Sequence, residues 1–211
     1  MSFHRTSQRI LAVSAAALVA VAGILPVVPA QAATGARPPF KVSFPQETQV
    51  TRFSNDWGSL RSGGRRHGGN DLMAPKMAQV YAFADGVVET VATSRRGGRY
   101  IVIEHGDGWS STYIHLNNDN PGTDDGDAPW SLTVAPTIEE GAVVKAGQLI
   151  GWVGDSGNAE WTGSHTHFEL AIDGRGINPH SLLEEAWERD QDRYIRQVLL
   201  ALHDEKLMST V

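Results

Sequence analysis

The sequence predicts a mainly β, antiparallel domain with a helix at its C-terminal end. Short apolar runs are cut repeatedly by glycine turns between Gln46 and Asn178, 22 glycines and ten prolines punctuate the chain, and the apolar period changes from two to nearly four after Ser181. At 211 residues, with 41% apolar and 20% charged residues, the chain has ordinary globular composition and can bury a core. Eighteen Lys plus Arg against 24 Asp plus Glu leave a net charge of -6, which excludes the broad basic footprint of a nucleic-acid binder. No cysteine is present, so disulfides, thiolate metal sites, cysteine nucleophiles and lipid-modified cysteines are excluded. Any metal here must use His, Asp or Glu.

Residues 1–32 read as a secretory signal. His4, Arg5 and Arg9 give the basic start, Ile10 to Val28 is apolar apart from Ser14, and Ala30-Gln31-Ala32 supplies the small-x-small cleavage pattern. Pro26 and Pro29 break that run just ahead of the cleavage site. Loss of Arg5 and Arg9 takes the mature net charge from -6 to -8, and no second apolar run follows, so no membrane association is expected after cleavage. Residues 33–45, with Pro38, Pro39 and Pro45, read as an extended linker.

The β domain is expected over residues 46–180. Gln79 to Val91, Tyr100 to His105, Ser110 to Leu116 and Gln148 to Val153 read as strands, with Gly106-Asp107-Gly108 as a hairpin turn. Asn117 to about Pro136 interrupts the rhythm with Asp119, Asp124, Asp125 and Asp127, and reads as a long polar surface loop. It lacks the full spacing of a twelve-residue calcium loop, so a solvated loop is the simpler reading. Residues 181–211 form a helical extension. Ser181 and Glu184 have capping-box spacing, and Leu183, Trp187, Tyr194, Val198 and Leu202 make a stripe that packs on the β domain or binds a partner.

Three groups of residues carry chemistry. His67-Gly68-Gly69-Asn70-Asp71 sets an imidazole and a carboxylate four apart, and its glycines favour a turn leading into a strand that brings the pair together. In His165-Thr166-His167-Phe168-Glu169 the two histidines and Glu169 share one strand face, while Thr166, Phe168, Leu170 and Ile172 share the other and belong against a core. In Thr112-Tyr113-Ile114-His115-Leu116 the alternation puts Tyr113 and His115 on one face.

The order His67-x-x-x-Asp71, Tyr113-x-His115-Leu116, His165-x-His167-Phe168-Glu169 resembles the lysostaphin-like (LytM-type) zinc endopeptidases that cut peptidoglycan peptides. The resemblance spans about Ser54 to Pro179, supported by Asp85-Gly86-Val87-Val88, Ile103-Glu104-His105-Gly106 and Val144 to Gly151. It implies that His67, Asp71 and His167 bind zinc and that His115 and His165 are catalytic, acting on peptidoglycan peptides as a secreted enzyme. The location would be extracellular or in the cell wall, or periplasmic if the host has an outer membrane. It leaves the cut bond, and which of the two histidines is the base, undecided.

Glu169 is placed to orient a ligand imidazole. His105 matches a family position that is not a ligand, and structural roles are expected for it, His180 and His203. Met77-Ala78-Gln79 stands where the family has Gly-Thr-Pro, and the segment from Gly157 to His165 is about two residues longer than the family's approach to the second cluster. Two other classes compete: a non-catalytic module of the same fold that binds or activates another wall hydrolase, and a lipoyl- or biotinyl-like carrier modified at Lys76.

Overall fold

The computed structural model describes residues 36–208, with side chains as far as His203. The signal segment 1–32 and the first residues of the expected linker lie outside that range. Among the described residues the strands are β1 (Leu60–Arg61), β2 (Arg65–Arg66), β3 (Asn70–Met73), β4 (Gln79–Tyr81), β5 (Gly86–Ser94), β6 (Gly98–Gly106), β7 (Trp109–Leu116), β8 (Val143–Val144), β9 (Leu149–Trp152), β10 (His165–Ile172) and β11 (Arg175–Ile177), followed by helix α1 (His180–Met208).

One antiparallel sheet runs β11-β10-β7-β6-β5-β8, with β3 also paired to β10. The β1–β2 pair and the long-range pair β4–β9 form two further two-stranded antiparallel sheets. The expected turn joins β6 to β7, with Gly106, Asp107 and Gly108 all at positive φ. The single run expected from Gln79 to Val91 is divided in two, because the chain leaves the β4–β9 pair after Tyr81 before β5 joins the large sheet.

One face of the sheet makes the core. Thr166, Phe168 and Leu170 of β10 are completely buried, as are Ile101, Ile103, Phe83 and Tyr113. The Phe168 ring lies 5.4 Å from both Phe83 and Tyr113, the latter edge-on. The Tyr113 hydroxyl accepts the Phe83 N–H at 2.7 Å and shares a hydrogen bond with Ser111 Oγ at 3.1 Å, so this buried phenol has two polar partners. His105 belongs to the same network, with Nδ1 on the Asp85 carbonyl and Nε2 on Ser111 Oγ. It is not among the residues lining the cleft described below.

The described part of the segment expected to be a linker is packed instead. Val42 and Phe44 are buried, Val42 and Gln46 bridge to Ala84 and Val80, and the Phe44 N–H donates to Asp190 of α1. Two aromatic or branched side chains among the prolines gave this stretch enough apolar surface to dock.

Helix α1 starts two residues earlier than the capping-box spacing implied, with the His180 N–H donating to Asn178 Oδ1. Its stripe packs only at the start: Leu182, Leu183 and Ala186 are buried, whereas Tyr194, Ile195, Leu199 and Leu202 are exposed. A 29-residue helix is about 43 Å long. It outruns the body it lies against.

The Asn117–Pro136 loop is also less solvated than its composition suggests. Asn117, Asp119 and Thr133 are buried, and the Lys76 ammonium sits among Asp119, Asp124 and Asp155 at 2.6, 2.5 and 3.0 Å. The ammonium thus neutralises part of the loop's dense negative charge. The same three carboxylates tie up Lys76 and remove the ground for a modified carrier lysine. They hold its pKa above the ordinary lysine value despite the opposing effect of burial.

Candidate active site

The sheet face opposite the core forms an open cleft of about 530 Å³. Its floor is β10, where strict alternation turns His165, His167 and Glu169 into the cleft, as the two-residue period predicts. Asp71 of β3 stands directly across from His167 in the antiparallel register, so a side chain from 96 positions away becomes a neighbour on the same face. His67 precedes β3 and swings back over it through Gly68-Gly69. At Gly69 a Cβ would lie 2.2 Å from the Phe168 carbonyl oxygen and 3.0 Å from His167 Nε2, so only glycine lets the chain cross there.

Three atoms converge as a result. His67 Nε2 is 3.0 Å from Asp71 Oδ1 and 2.8 Å from His167 Nδ1, and the last two are 2.9 Å apart. The outer nitrogen of each ring already has an acceptor: His67 Nδ1–H donates to the Asp56 carbonyl at 3.1 Å, and His167 Nε2–H donates to Glu169 Oε1 at 3.0 Å. Both inner nitrogens thus point toward each other and toward a carboxylate. One proton can bridge one edge of this triangle; a cation at its centre satisfies all three corners. Tetrahedral zinc with bonds of about 2.0–2.1 Å needs edges of roughly 3.3 Å, a few tenths more than observed. The residues fit such an ion.

Electrostatics follow from the same contacts. Burial pushes the Asp71 carboxyl up, but the hydrogen bond with His167 and the nearby imidazoles outweigh it and hold Asp71 well below the usual carboxylate range. Burial works against protonation of His167, yet its bonds to Asp71 and Glu169 prevail and raise it to about 9. A metal at Nδ1 competes with that proton.

His115 and His165 sit beside the triad, ring centroids 5.0 Å apart. His115 Nδ1–H donates to the Ser156 carbonyl at 2.8 Å and His165 Nδ1–H to the Gly163 carbonyl at 2.7 Å, leaving each Nε2 free as an acceptor. Burial first, then the neighbouring imidazoles, push His115 down to about 4, so it is neutral at pH 7.

The structure corrects the reading of β7. Tyr113 and His115 do not share a face: Tyr113 is in the core, and His115, at φ 66°, turns out of the alternation into the cleft. A non-glycine residue in the left-handed region is costly and tends to persist at functional sites. The Asn117–Pro136 loop is not among the residues lining the cleft; Asn158, Ala159, Thr162 and Gly163, from the lengthened segment, are. Met77, which stands at the resembled family's glycine position, takes φ 68°, a left-handed conformation that is strained for a non-glycine residue.

Sequence reasoning missed the support around Asp71. Arg61 donates to Asp71 Oδ2 at 2.7 Å and to Asp56 at 3.0 Å, and Asp56 accepts from Asn70 at 2.8 Å. Asn70, polar and completely buried between two site residues, was the one available signal. Arg65, Arg66 and Arg96, also lining the cleft, were missed as well.

Residues 65–127 match Peptidase family M23, a stretch that includes His67, Asp71 and His115 and stops short of β10. The peptidoglycan DD-endopeptidase ShyA of Vibrio cholerae is 32% identical over 112 residues, 53% of this chain and 22% of that protein. The murein hydrolase activator NlpD of Salmonella dublin is 30% identical over 132 residues, 61% of this chain and 30% of that protein. The chain thus spans less than a third of either relative. The crystal structure of a zinc containing peptidase from Vibrio cholerae superposes with a TM-score of 0.52 at 26% identity, covering 65% of this chain and 39% of that one. Motif order, sheet topology and these similarities agree in likening this chain to the catalytic domains of peptidase family M23.

Proposed function

We propose that the protein is a secreted zinc endopeptidase that hydrolyses peptide bonds in peptidoglycan, with His67, Asp71 and His167 as metal ligands and His115 and His165 as catalytic residues. The observation that carries this reading is the mutual approach of His67 Nε2, Asp71 Oδ1 and His167 Nδ1 within 3.0 Å, beside two unligated imidazoles. The proposed domain order is a signal over 1–32, a segment 33–45, the peptidase domain over 46–180 and the helical extension 181–211.

Zinc bound there supplies Lewis acidity toward an amide carbonyl and brings the pKa of water toward neutrality. The chain's own residues do the rest. Glu169 and the Asp56 carbonyl fix the ring orientation of His167 and His67, and Arg61 holds the second oxygen of Asp71. His115 and His165, anchored through Nδ1 and free at Nε2, take the proton from the attacking water and return one to the leaving amine. A neutral His115 is ready as an acceptor at pH 7.

A second reading, a module that activates another wall hydrolase, draws support from the similarity to NlpD and from the exposed apolar residues beyond Tyr194 on α1. The full set of five site residues favours the enzyme, since an activator gains nothing from polar groups buried in a cleft. Export agrees with the sequence of residues 1–32; among the described residues no helix is long and apolar enough to cross a membrane.

The test is digestion of purified cell walls by the zinc-loaded protein, with new amine termini identified by mass spectrometry. New termini that vanish on chelation are expected. Intact walls, together with stimulation of a separate hydrolase, would favour the activator.

A further inference from the structure

We propose that the cleft selects peptides bearing a free carboxylate close to the cut amide, with Arg65, Arg66 and Arg96 as the selecting groups; this rests on the peptidase reading above. The three guanidinium-bearing residues come from β2 and from the β5–β6 turn, segments about 30 positions apart, and all line the same cavity as His115, His165 and the triad. All three are exposed. Among the described residues none of them makes an ion pair, and the only side-chain hydrogen bond they make is from Arg66 to the Gly58 carbonyl, at 2.9 Å.

The other charges in the cleft are already committed. Arg61 is engaged by Asp56 and Asp71, and the Glu169 carboxylate by His167. Three uncommitted positive charges therefore face the opening of a cleft in a chain with 24 acidic and 18 basic residues. An exposed arginine is ordinarily only solvated. Three around one catalytic opening, against the sign of the whole chain, create a local field that draws anions in and repels cationic competitors. The guanidinium fork matches a carboxylate with two parallel hydrogen bonds, which a neutral amide cannot reproduce. Stem peptides with free carboxyl groups are then the preferred substrates, and bridges built of neutral glycines are not.

The test uses the zinc-loaded full chain and two synthetic cross-linked stem peptides that differ only in whether the carboxyl groups beside the scissile amide are free or amidated. Each exposed pair contributes severalfold at most, so the free-carboxylate peptide should lead in kcat/KM by about tenfold at low salt. That lead should shrink as ionic strength rises to 0.5 M, where screening extends only about 4 Å. Replacing all three arginines by alanine should bring the ratio close to one with zinc content intact. Equal kcat/KM for the two peptides in the unmodified protein would overturn the inference, with no variant needed. So would a preference that survives the triple replacement or ignores salt. Cleavage of neither peptide, nor of whole walls, would instead sink the peptidase reading on which it rests.

Discussion

Strands β10 and β7 lie side by side in one sheet and deliver two histidines and one to the same cleft, yet they do so by opposite means. Strand β10 keeps its alternation from His165 to Glu169, with Asp71 across the ladder and a fully buried opposite face. Strand β7 keeps it only as far as Ile114; His115 then leaves the regular region at φ 66° and is held by a backbone bond to the Gly97 carbonyl and a ring bond to the Ser156 carbonyl. The regular strand supplies an ion-sized triangle whose geometry follows from register. The irregular strand end supplies a single imidazole aimed by loops. Metal binding and proton transfer should therefore separate by mutation.

The largest effect is expected at the register position. Asp71→Ala removes one corner of the triangle and leaves two imidazoles; zinc retained after dialysis should fall to near zero, and turnover on the order of 10³-fold or more. His115→Ala should lower turnover about a hundredfold while zinc remains bound, which metal analysis beside a peptide-cleavage assay would show. If His115→Ala lost its zinc too, the separation between the strands would fail. Glu169→Gln keeps the shape and removes the charge facing His167, so zinc affinity should weaken roughly 10- to 100-fold by competition with a chelator.

His115 also gives a pH prediction. Its folded-state value is pushed down to about 4 from an ordinary 6.5, so its contribution to stability is present above pH 6.5 and is lost as pH falls through about 4. In urea titrations without metal, His115→Asn, which tolerates the left-handed region, should flatten this acid limb. Its stability should then match or exceed that of the unmodified chain at pH 4 while differing little in acid dependence above pH 7. The smallest change belongs to the core face: Tyr113→Phe strands the buried Phe83 N–H and should cost about 1–3 kcal/mol of stability with zinc content unchanged.

The same contrast explains what was legible beforehand. The antiparallel β class, the β6–β7 turn and the cleft face of β10 follow from period and glycine placement, which local sequence carries. Positive φ at His115 does not follow, because it is imposed by Gly97 and Ser156 from elsewhere in the chain. Arg61 and Asp56 lie in an irregular stretch whose contacts with Asp71 arise only once β3 has paired. Residues 36–45 looked like a linker because prolines mask periodicity, although Val42 and Phe44 had surface to bury. For α1 the stripe was visible, but the length of body available to cover it was not.

Locating the metal tests the account most directly. Anomalous scattering at the zinc edge, from crystals of the zinc-loaded protein, should place one ion bonded to His67 Nε2, Asp71 Oδ1 and His167 Nδ1 with open positions toward His115 and His165. An ion bonded elsewhere, or no ion at that triangle at saturating zinc, would contradict it.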